Sequence, residues 1–407
     1  MARNQALSKG TPGEVLLEAG LGKEALPYLL ADHEREPLRW EHLSNLGAAY
    51  RIVQQLDCSM ECLEQALEIN PKASHAWHNL ANTLGDLGQF EKSLECVRAA
   101  FDLSPGRDTA LSLAFGLMRE GLWQEGLPLH EFARVGRSWN PIAGMPIWRG
   151  EDISGKKLLI IREGGYGDSF LYMRYFRELK ERGVEVSFLV WEKQAGILSG
   201  HPWIDEVLPD SKAFDGRKFN LHCPIMSLPF MLEATPQTTH PLVRYIDSEP
   251  EHAEAASRAL ANGARKKVGI CWSAQEAAMP KKFRSMKAQE LEPLRTLDAR
   301  FISLCPDDTA PDWVETRPEL MSSWEATAGL IDSLDLVVSV DTAVAHLAAA
   351  MGKPTLIILP LNSDWKWLRG IDRTVWYESA TVIRNSDSSS FGPAIEQAKE
   401  AIHGFLH

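Results

Sequence analysis

Basic residues are in the minority in this chain. Its 407 residues include 43 Lys and Arg against 55 Asp and Glu, a formal net charge of −12. Such a chain has no broad basic surface for nucleic acid or an anionic membrane. It also lacks any run of about 18 apolar residues, the length that spans a bilayer, and its first residues lack the apolar core of a signal peptide. We therefore expect a cytoplasmic protein with no integral membrane segment and no nucleic-acid partner.

Cysteine is scarce as well. The six cysteines form neither a C-x-x-C pair nor a Cys/His arrangement with zinc spacing. Cys58 and Cys62, four residues apart on a predicted helix, are more typical of apolar packing residues than of metal ligands. We therefore expect reduced thiols. The 44% hydrophobic and 24% charged residues are those of a globular protein, and the length suits two or three domains.

The sequence does contain a repeat with a period of 34 residues. Pro37, Pro71 and Pro105 follow one another at this spacing. Between them small residues such as Gly47 and Ala81 recur where two helices would cross closely, and a proline closes the second helix of each pair. This is the tetratricopeptide pattern. Such arrays usually bind a peptide or another protein on their concave face, so the repeats imply a partner.

The repeat extends beyond its two clear copies. Residues 20–37 fit the second half of an earlier copy, whose first helix we expect Thr11-Pro12-Gly13 to compromise. A weaker copy persists through Trp123 and Leu127. We predict roughly three and a half repeats in a domain at 1–140, with the Pro- and Gly-containing stretch 136–157 as the domain boundary.

From Lys157 onward, short apolar runs alternate with helical stretches, which predicts parallel sheets with helices on both faces. The runs form two groups, so the predicted fold is helical repeats followed by two Rossmann-like lobes. The ligand cleft then lies outside the carboxyl ends of the strands. We place the first lobe at 141–245, the second at 246–390, and a final helix at 391–407 that packs back on the first lobe.

A glycine-rich turn follows the first strand of the first lobe. Gly164, Gly165 and Gly167 allow backbone N–H groups to approach a ligand closely, and a helix begins there. Asp168 in its first turn is either a capping residue or a catalytic group at the edge facing the cleft. The turn is not the G-x-G-x-x-G dinucleotide fingerprint, which disfavours a dehydrogenase.

The second lobe has a comparable junction after its strand at 336–340. Asp341 or Thr342 can cap the next helix while its free N–H groups hold a phosphate, and His346 follows one turn later; capping alone is the alternative. Basic residues at 281–284 suit a diphosphate, although such runs are often only solvated. The tryptophans at 365 and 367 can stack on a base or sugar, or pin their loop to the core. Further candidate donor-binding residues of this lobe are Trp272, Ser273, Lys282, Arg284, Ser285, Asp364 and Trp365.

The order of these segments resembles the tetratricopeptide-repeat glycosyltransferases, bacterial relatives of the ADP-heptose:lipopolysaccharide heptosyltransferases. The most specific part is Ser-Val-Asp-Thr-Ala-Val-Ala-His-Leu-Ala at 339–348, followed by Gly-Lys-Pro at 352–354 and Asp-Trp-Lys-Trp-Leu at 364–368. Residues 163–168 and 268–273 resemble the first-lobe loop and the second-lobe strand of the same family. Gly164 and Ala274 depart from its usual glutamine and glycine.

The resemblance implies a GT-B fold, a nucleotide-sugar co-substrate, no metal cofactor and inversion at the anomeric centre. It implies that Asp168 is the general base, that Asp341, Thr342 and His346 bind the donor phosphates, and that Arg284 with Ser285 forms the loop opposite. The repeats favour a protein acceptor, such as a surface or flagellar subunit. A lipid-linked or polysaccharide acceptor, and an adaptor with degenerate catalytic lobes, are the alternatives.

Overall fold

The computed structural model describes residues 10–136, 142–274, 284–305 and 310–407. The chain divides into two compact units, one of Met1–Glu120 with Pro128–Ala133 and one of Gly121–Leu127 with Arg134–His407. The first unit is helical and the second contains both sheets. Within the described ranges, every helix is too short or too polar to cross a membrane. Lys282, one of the predicted donor-binding residues, lies outside the described residues.

The repeats form paired helices, as the 34-residue period predicts. Neighbouring helices pack as α1 with α2, α3 with α4, and α5 with α6. The helices are α1 Pro12–Glu18, α2 Gly22–Arg35, α3 Trp40–Ile52, α4 Leu56–Ile69, α5 Ser74–Asp86, α6 Phe90–Leu103, α7 Arg107–Arg119 and α8 Trp123–Arg134.

Successive repeats use the same contacts at equivalent positions. The Ser59 hydroxyl donates to the Gly47 carbonyl at 2.7 Å, and 34 residues later Ser93 donates to Ala81 at 2.6 Å. A Cβ at position 47 would lie 2.6 Å from Leu63 Cγ, so the two helices cross with room for no larger residue. The small residues in the repeat pattern are therefore explained by close helix packing.

The first helix corrects one prediction. Thr11 Oγ accepts the Glu14 N–H and the Glu14 carboxylate accepts the Thr11 N–H, a reciprocal cap at the start of α1. Pro12 occupies the first helical position, where a backbone N–H has no intrahelical partner to lose. The expectation that Thr11-Pro12-Gly13 compromises this helix is wrong, because the segment starts the helix instead.

The first lobe contains a four-stranded parallel sheet in the order β3-β2-β1-β4. Residues 169–182, which the sequence suggests as one helix, form parts of two, α9 and α10, that meet at Met173. The elements are β1 Lys157–Ile161, α9 Tyr166–Tyr172, α10 Arg174–Glu181, β2 Glu185–Val190, α11 Ala195–Leu198, β3 Glu206–Pro209, β4 Leu221–Pro224 and α12 Leu228–Met231.

The second lobe contains a five-stranded parallel sheet in the order β6-β5-β7-β8-β9. Strands β7 and β8 are buried along their whole length, as their continuous apolar sequences require. The elements are α13 Pro250–Ala259, β5 Lys267–Cys271, β6 Arg300–Ser303, α14 Trp324–Asp332, β7 Leu336–Val340, α15 Ala343–Ala350, β8 Thr355–Leu359, β9 Ala380–Arg384 and α16 Gly392–Leu406. Helical repeats followed by two Rossmann-like lobes are confirmed.

Each sheet has one point where the strand order reverses. In the first it lies between β1 and β4, and in the second between β5 and β7. Ligands of open parallel sheets bind outside the carboxyl ends of strands at such points. The loop that carries Asp168 follows β1, and Asp341 directly follows β7. Both predicted acidic residues therefore lie where the topology favours a site.

The last helix, α16, packs on the second lobe. It contacts β8, β9 and the 3-10 helix Ala288–Thr296 through buried residues such as Ile395 and Ile402, and the Phe391 N–H donates to the Glu290 carboxylate at 2.8 Å. The expectation that it packs back on the first lobe is therefore wrong. Its apolar face is evident in the sequence, but the surface that this face covers is not.

Candidate functional site

The loop after β1 fixes the carboxylate of Asp168. Oδ2 accepts the Gly165 N–H at 2.7 Å, and Oδ1 lies 3.9 Å from Lys366 Nζ. Gly164 has φ +74°, and a Cβ there would lie 2.3 Å from Asp168 Oδ2. The glycine is thus needed both for its conformation and for the space that the carboxylate occupies. The carboxylate thus caps α9, and 21% of the Asp168 side chain stays exposed.

A buried ion pair anchors the same loop. The Arg134 guanidinium binds the Glu163 carboxylate through two hydrogen bonds of 2.9 and 2.6 Å, and it also donates to Ser227 Oγ at 3.0 Å. The two side chains are 5% and 4% exposed. Such a two-point contact fixes orientation as well as charge. Arg134 was not among the predicted site residues, since 29 residues separate it from its partner.

Thr342 caps α15 in the second lobe. Its Oγ1 accepts the Ala345 N–H at 3.3 Å and lies 2.9 Å from the Ser339 hydroxyl. The cap engages one N–H group of the first turn. The N–H groups of Ala343 and Val344 make no hydrogen bond to any described residue. The start of this helix is therefore equipped to hold an anion.

His346 is buried behind this helix start. Its Nε2 lies 3.4 Å from Asp341 Oδ1, its Nδ1 lies 2.8 Å from the Tyr377 hydroxyl, and its ring stacks on Trp367 at 5.3 Å between centroids. Both ring nitrogens thus have protein partners, and the residue is 2% exposed. His346 is therefore buried between Asp341, Tyr377 and Trp367.

Lys366 stands among three carboxylates. Its Nζ lies 3.6 Å from Asp364, 3.8 Å from Asp341 and 3.9 Å from Asp168. Burial acts to lower the pKa of Lys366, but the three acids outweigh burial and raise it above its usual value. Burial likewise acts to raise the pKa of the Asp341 carboxyl. The nearby charges of Lys366 and His346 outweigh this effect of burial and hold the pKa of Asp341 far below its usual value.

The two lobes meet at Gly167. A Cβ at this position would lie 2.7 Å from His346 Cδ2 and 3.3 Å from Ala343 Cα. Only a residue without a side chain allows the start of α9 to come this close to the start of α15. This contact brings Asp168 of the first lobe to Lys366 of the second.

The loop after β5 is partly described. Trp272 is buried and its carbonyl accepts the Met286 N–H at 2.9 Å, while Ser285 Oγ accepts the Ala274 N–H at 3.0 Å. Ser273 is partly exposed. Arg284 lies close enough to Lys366 for its charge to act against the raised pKa of that lysine. Ser285 therefore holds the loop together, and Arg284 belongs to the charged cluster.

The loop after β8 is anchored in the core by a buried tryptophan. Trp365 is buried with its ring 5.6 Å from that of Trp123, and it also packs against Trp376. Asp364 caps the turn by accepting the Lys366 N–H at 3.1 Å. Of the two interpretations of the tryptophans, the structure supports pinning: it places Trp365 in the core rather than against a ligand.

Comparison with known proteins agrees with both halves of the architecture. Residues 43–72 and 62–95 match tetratricopeptide repeats, and residues 322–385 match glycosyltransferase family 9 (heptosyltransferase). The last match spans β7, Asp341, α15 and the Lys366 loop. This chain joins tetratricopeptide repeats to a glycosyltransferase domain.

Two curated proteins and a solved structure illustrate what this chain is similar to. Protein FlbA of Caulobacter vibrioides is 23% identical to this glycosyltransferase, in an alignment covering 90% of this chain and 73% of FlbA. The Arabidopsis thaliana protein SEC, described as a probable UDP-N-acetylglucosamine–peptide N-acetylglucosaminyltransferase, is 31% identical over 79 residues, which are 19% of this chain and 8% of SEC. A thermophilic tetratricopeptide-repeat protein of Thermus thermophilus is 20% identical over 30% of this chain and 69% of its own, with a TM-score of 0.28.

Proposed function

We propose that this glycosyltransferase moves a sugar from a nucleotide-sugar donor to a hydroxyl of a protein that its repeats recruit. We further propose that the transfer is metal-independent and inverts the anomeric centre. The acceptor oxygen attacks the anomeric carbon while its proton passes to a base, and the bond from that carbon to the diphosphate breaks with the electron pair leaving on the diphosphate. This reaction needs a base on one side of the sugar and stabilisation of negative charge on the other.

The observation that carries the proposal is the position of Asp168. Its carboxylate is held by a backbone N–H, stays partly exposed and lies at the carboxyl edge of the first sheet, beside the second-lobe charges. A carboxylate so placed can accept the proton of an acceptor hydroxyl. In this proposal Asp168 is the general base.

The second lobe supplies groups suited to the departing diphosphate. The N–H groups at the start of α15 and the Arg284 guanidinium are directed donors, and Lys366 adds a buried positive charge. Helix starts favour anions, and guanidinium groups bind phosphate oxygens in pairs. We assign Thr342 to shaping this helix start, and Asp341 with His346 to holding Lys366 in place.

The repeats support a protein acceptor. Arrays of this architecture present an extended concave surface to a partner, and SEC, which shares a segment with this chain, is described as acting on peptide. A lipid-linked or polysaccharide acceptor is the second candidate, in which the repeats bind an assembly partner. The match at residues 322–385 favours it, since heptosyltransferase is the description of that family.

The test begins with thermal shifts of the full chain against UDP-, GDP-, CMP-, ADP- and dTDP-sugars, because a bound donor raises apparent stability. Nucleotide release is then measured for wild type and Asp168→Asn. Asparagine keeps an oxygen for the Gly165 N–H but cannot take the proton, so turnover should fall about 10²- to 10⁴-fold. Asp215→Asn, an exposed carboxylate of the same lobe at the start of a 3-10 turn, is the matched control. Undiminished turnover in Asp168→Asn would disprove the base assignment.

A further inference from the structure

Two buried cysteines are in contact at the carboxyl edge of the second sheet. Cys271 is the last residue of β5, and Cys305 lies two residues beyond the end of β6. Their Sγ atoms are 3.6 Å apart, and the Cys305 thiol donates to Cys271. A free cysteine in a core usually serves as a small apolar residue, but here two thiols from separate segments meet. Packing alone does not account for such a pair.

The surroundings of the pair are polar. The Trp272 N–H donates to Cys305 Sγ at 3.3 Å, and Thr342 Oγ1 lies 3.9 Å from Cys271 Sγ. The hydrogen bond from the Cys305 thiol lowers the pKa of Cys271 against the effect of burial, whereas burial raises the pKa of Cys96 to about 11. Because the thiolate is the reactive form of cysteine, Cys271 is the member of the pair placed to react first.

We propose that Cys271 and Cys305 are a reversible oxidation site, at which hydrogen peroxide forms a disulfide that lowers the use of the sugar donor. Formation of the bond does not depend on the reaction that the protein catalyses. Its effect on the donor rests on the proposed function.

The reaction consumes one molecule of peroxide. The Cys271 thiolate attacks a peroxide oxygen, the O–O bond breaks, and the leaving hydroxide takes up the thiol proton to become water. The Cys305 sulfur then attacks the resulting sulfenic acid, the S–O bond breaks, and the second hydroxide leaves as water with the Cys305 proton. Two electrons pass from the two thiols to the peroxide oxygens. Two molecules of a small thiol later reduce the bond and become a disulfide themselves.

The fold allows this bond to form within the sheet. Strands β5 and β6 are neighbours, and beside the pair the Leu304 N–H donates to the Ile270 carbonyl at 2.8 Å. Paired strands lie about 4.8 Å apart, and a disulfide spans Cα separations of about 4.4–6.8 Å. The sulfurs must approach from 3.6 Å to about 2.0 Å. Small movements of the two side chains and the adjoining backbone are therefore sufficient.

Those movements act on the donor side of the site. Cys271 leads directly into the loop of Trp272 and Ser273. Thr342, whose hydroxyl lies beside Cys271 Sγ, caps the start of α15, where the proposed N–H donors for the diphosphate lie. A displacement of about 1 Å at a group that positions substrate can cost about 10²-fold in rate. We therefore expect the disulfide to lower kcat/KM for the donor by about 10- to 100-fold.

The experiment compares the full-length chain, fully reduced and freed of reductant, before and after treatment with hydrogen peroxide. Proteolysis and mass spectrometry without reduction identify the linked cysteines, and nucleotide release gives kcat/KM for the donor. We expect a link between Cys271 and Cys305, a fall in kcat/KM of about 10- to 100-fold, and reversal of both by dithiothreitol. Reversal excludes methionine sulfoxide as the cause, because its repair requires a dedicated reductase.

Two serine variants are the matched controls. Cys271→Ser keeps a hydrogen-bond acceptor for the Cys305 thiol but cannot form the bond, so peroxide should leave its kcat/KM as it is in its own untreated sample. Cys96 is a buried cysteine of the repeats, and Cys96→Ser should form the link and lose activity as wild type does. If Cys271→Ser does not fold, Cys305→Ser replaces it, since it also breaks the pair.

Several results would overturn the inference: no link between Cys271 and Cys305, a link to another cysteine in its place, or a link that leaves kcat/KM unchanged. Equal loss of activity in wild type and Cys271→Ser would do so as well. Failure of the proposed function is distinguishable. If the reduced wild type releases no nucleotide from any donor, the proposed function fails, and the effect on the donor fails with it. If the reduced wild type is active and no link forms, only the oxidation site is refuted.

Discussion

A single methyl group at Gly167 should disturb both stability and activity. In Gly167→Ala the new Cβ would lie 2.7 Å from His346 Cδ2 and 3.3 Å from Ala343 Cα, whereas carbon atoms prefer about 3.5–4.0 Å. The imidazole cannot easily move, because its nitrogens contact Asp341 and Tyr377 and its ring stacks on an indole. Overpacking at such a site costs about 1–3 kcal/mol.

Relief of this overlap requires α9 to move away from α15, and that movement also separates Asp168 from Lys366. Urea unfolding of Gly167→Ala should show a loss of about 2 kcal/mol relative to wild type. Nucleotide release should fall by more than the unfolded fraction explains, since a displacement of about 1 Å at a reacting group can cost about 10²-fold. Both quantities are measured on the same preparation.

Gly404→Ala is the matched control. It adds the same methyl group in α16, where no heavy atom outside the local helix backbone lies within 4 Å of the built Cβ. Alanine is the better helix former, so this variant should be unchanged or more stable by up to about 1 kcal/mol. If Gly167→Ala matches Gly404→Ala in both its free energy of unfolding and its rate of nucleotide release, then the close approach of the two helices at Gly167 is not what holds the site together.

Two other predictions concern buried charge. Arg134→Met leaves the Glu163 carboxylate buried without its guanidinium partner, so this variant should lose about 3–5 kcal/mol of stability in urea unfolding. Adding Glu163→Gln to the same chain should recover part of the loss. Equal stability of Arg134→Met and wild type would contradict this prediction. Burial acts to raise the pKa of Asp341, but the cationic neighbours of this carboxyl outweigh burial and lower the pKa. The ionised carboxylate therefore stabilises the folded state above about pH 4, and this stabilisation is lost as the pH falls below that value. Asp341→Asn should therefore show a shallower loss of stability with acid in unfolding experiments from pH 5 to about pH 2, and an unchanged slope would refute it.

Much of the fold was predictable because its signals are local. Close helix crossings demand small residues at fixed spacing, and buried parallel strands demand short apolar runs, so both are visible in the sequence. Strand β9 is harder to predict, because Ala380–Arg384 is a short strand at the edge of the sheet whose apolar residues are few and interrupted by an exposed threonine. The prediction for the first helix is wrong because proline disrupts the interior of a helix but is tolerated at the first helical position, where Pro12 lies.

In the candidate site, too, the residues with a local sequence signal were predictable and the others were not. Asp168 and Asp341 were identifiable because each follows a strand at its carboxyl end, where topology alone favours function. Lys366 and Arg134 were not identifiable, since nothing next to them in the sequence shows that they are buried. Their importance depends on carboxylates brought from other segments by the tertiary fold. The environment of a buried charge is therefore the part of a site that sequence patterns reveal least.

The charge balance of the site constrains how a nucleotide-sugar can bind. Three carboxylates surround Lys366, and Arg284 is the second cation of the cluster. Among the described residues of this cluster, the acids exceed the cations by one. In the proposed function, directed donors bind the diphosphate, namely the N–H groups at the start of α15 and the fork of Arg284. In the same proposal Asp341 and Asp364 hold Lys366 and Asp168 is the base, so an acidic chain carries a site for an anionic donor.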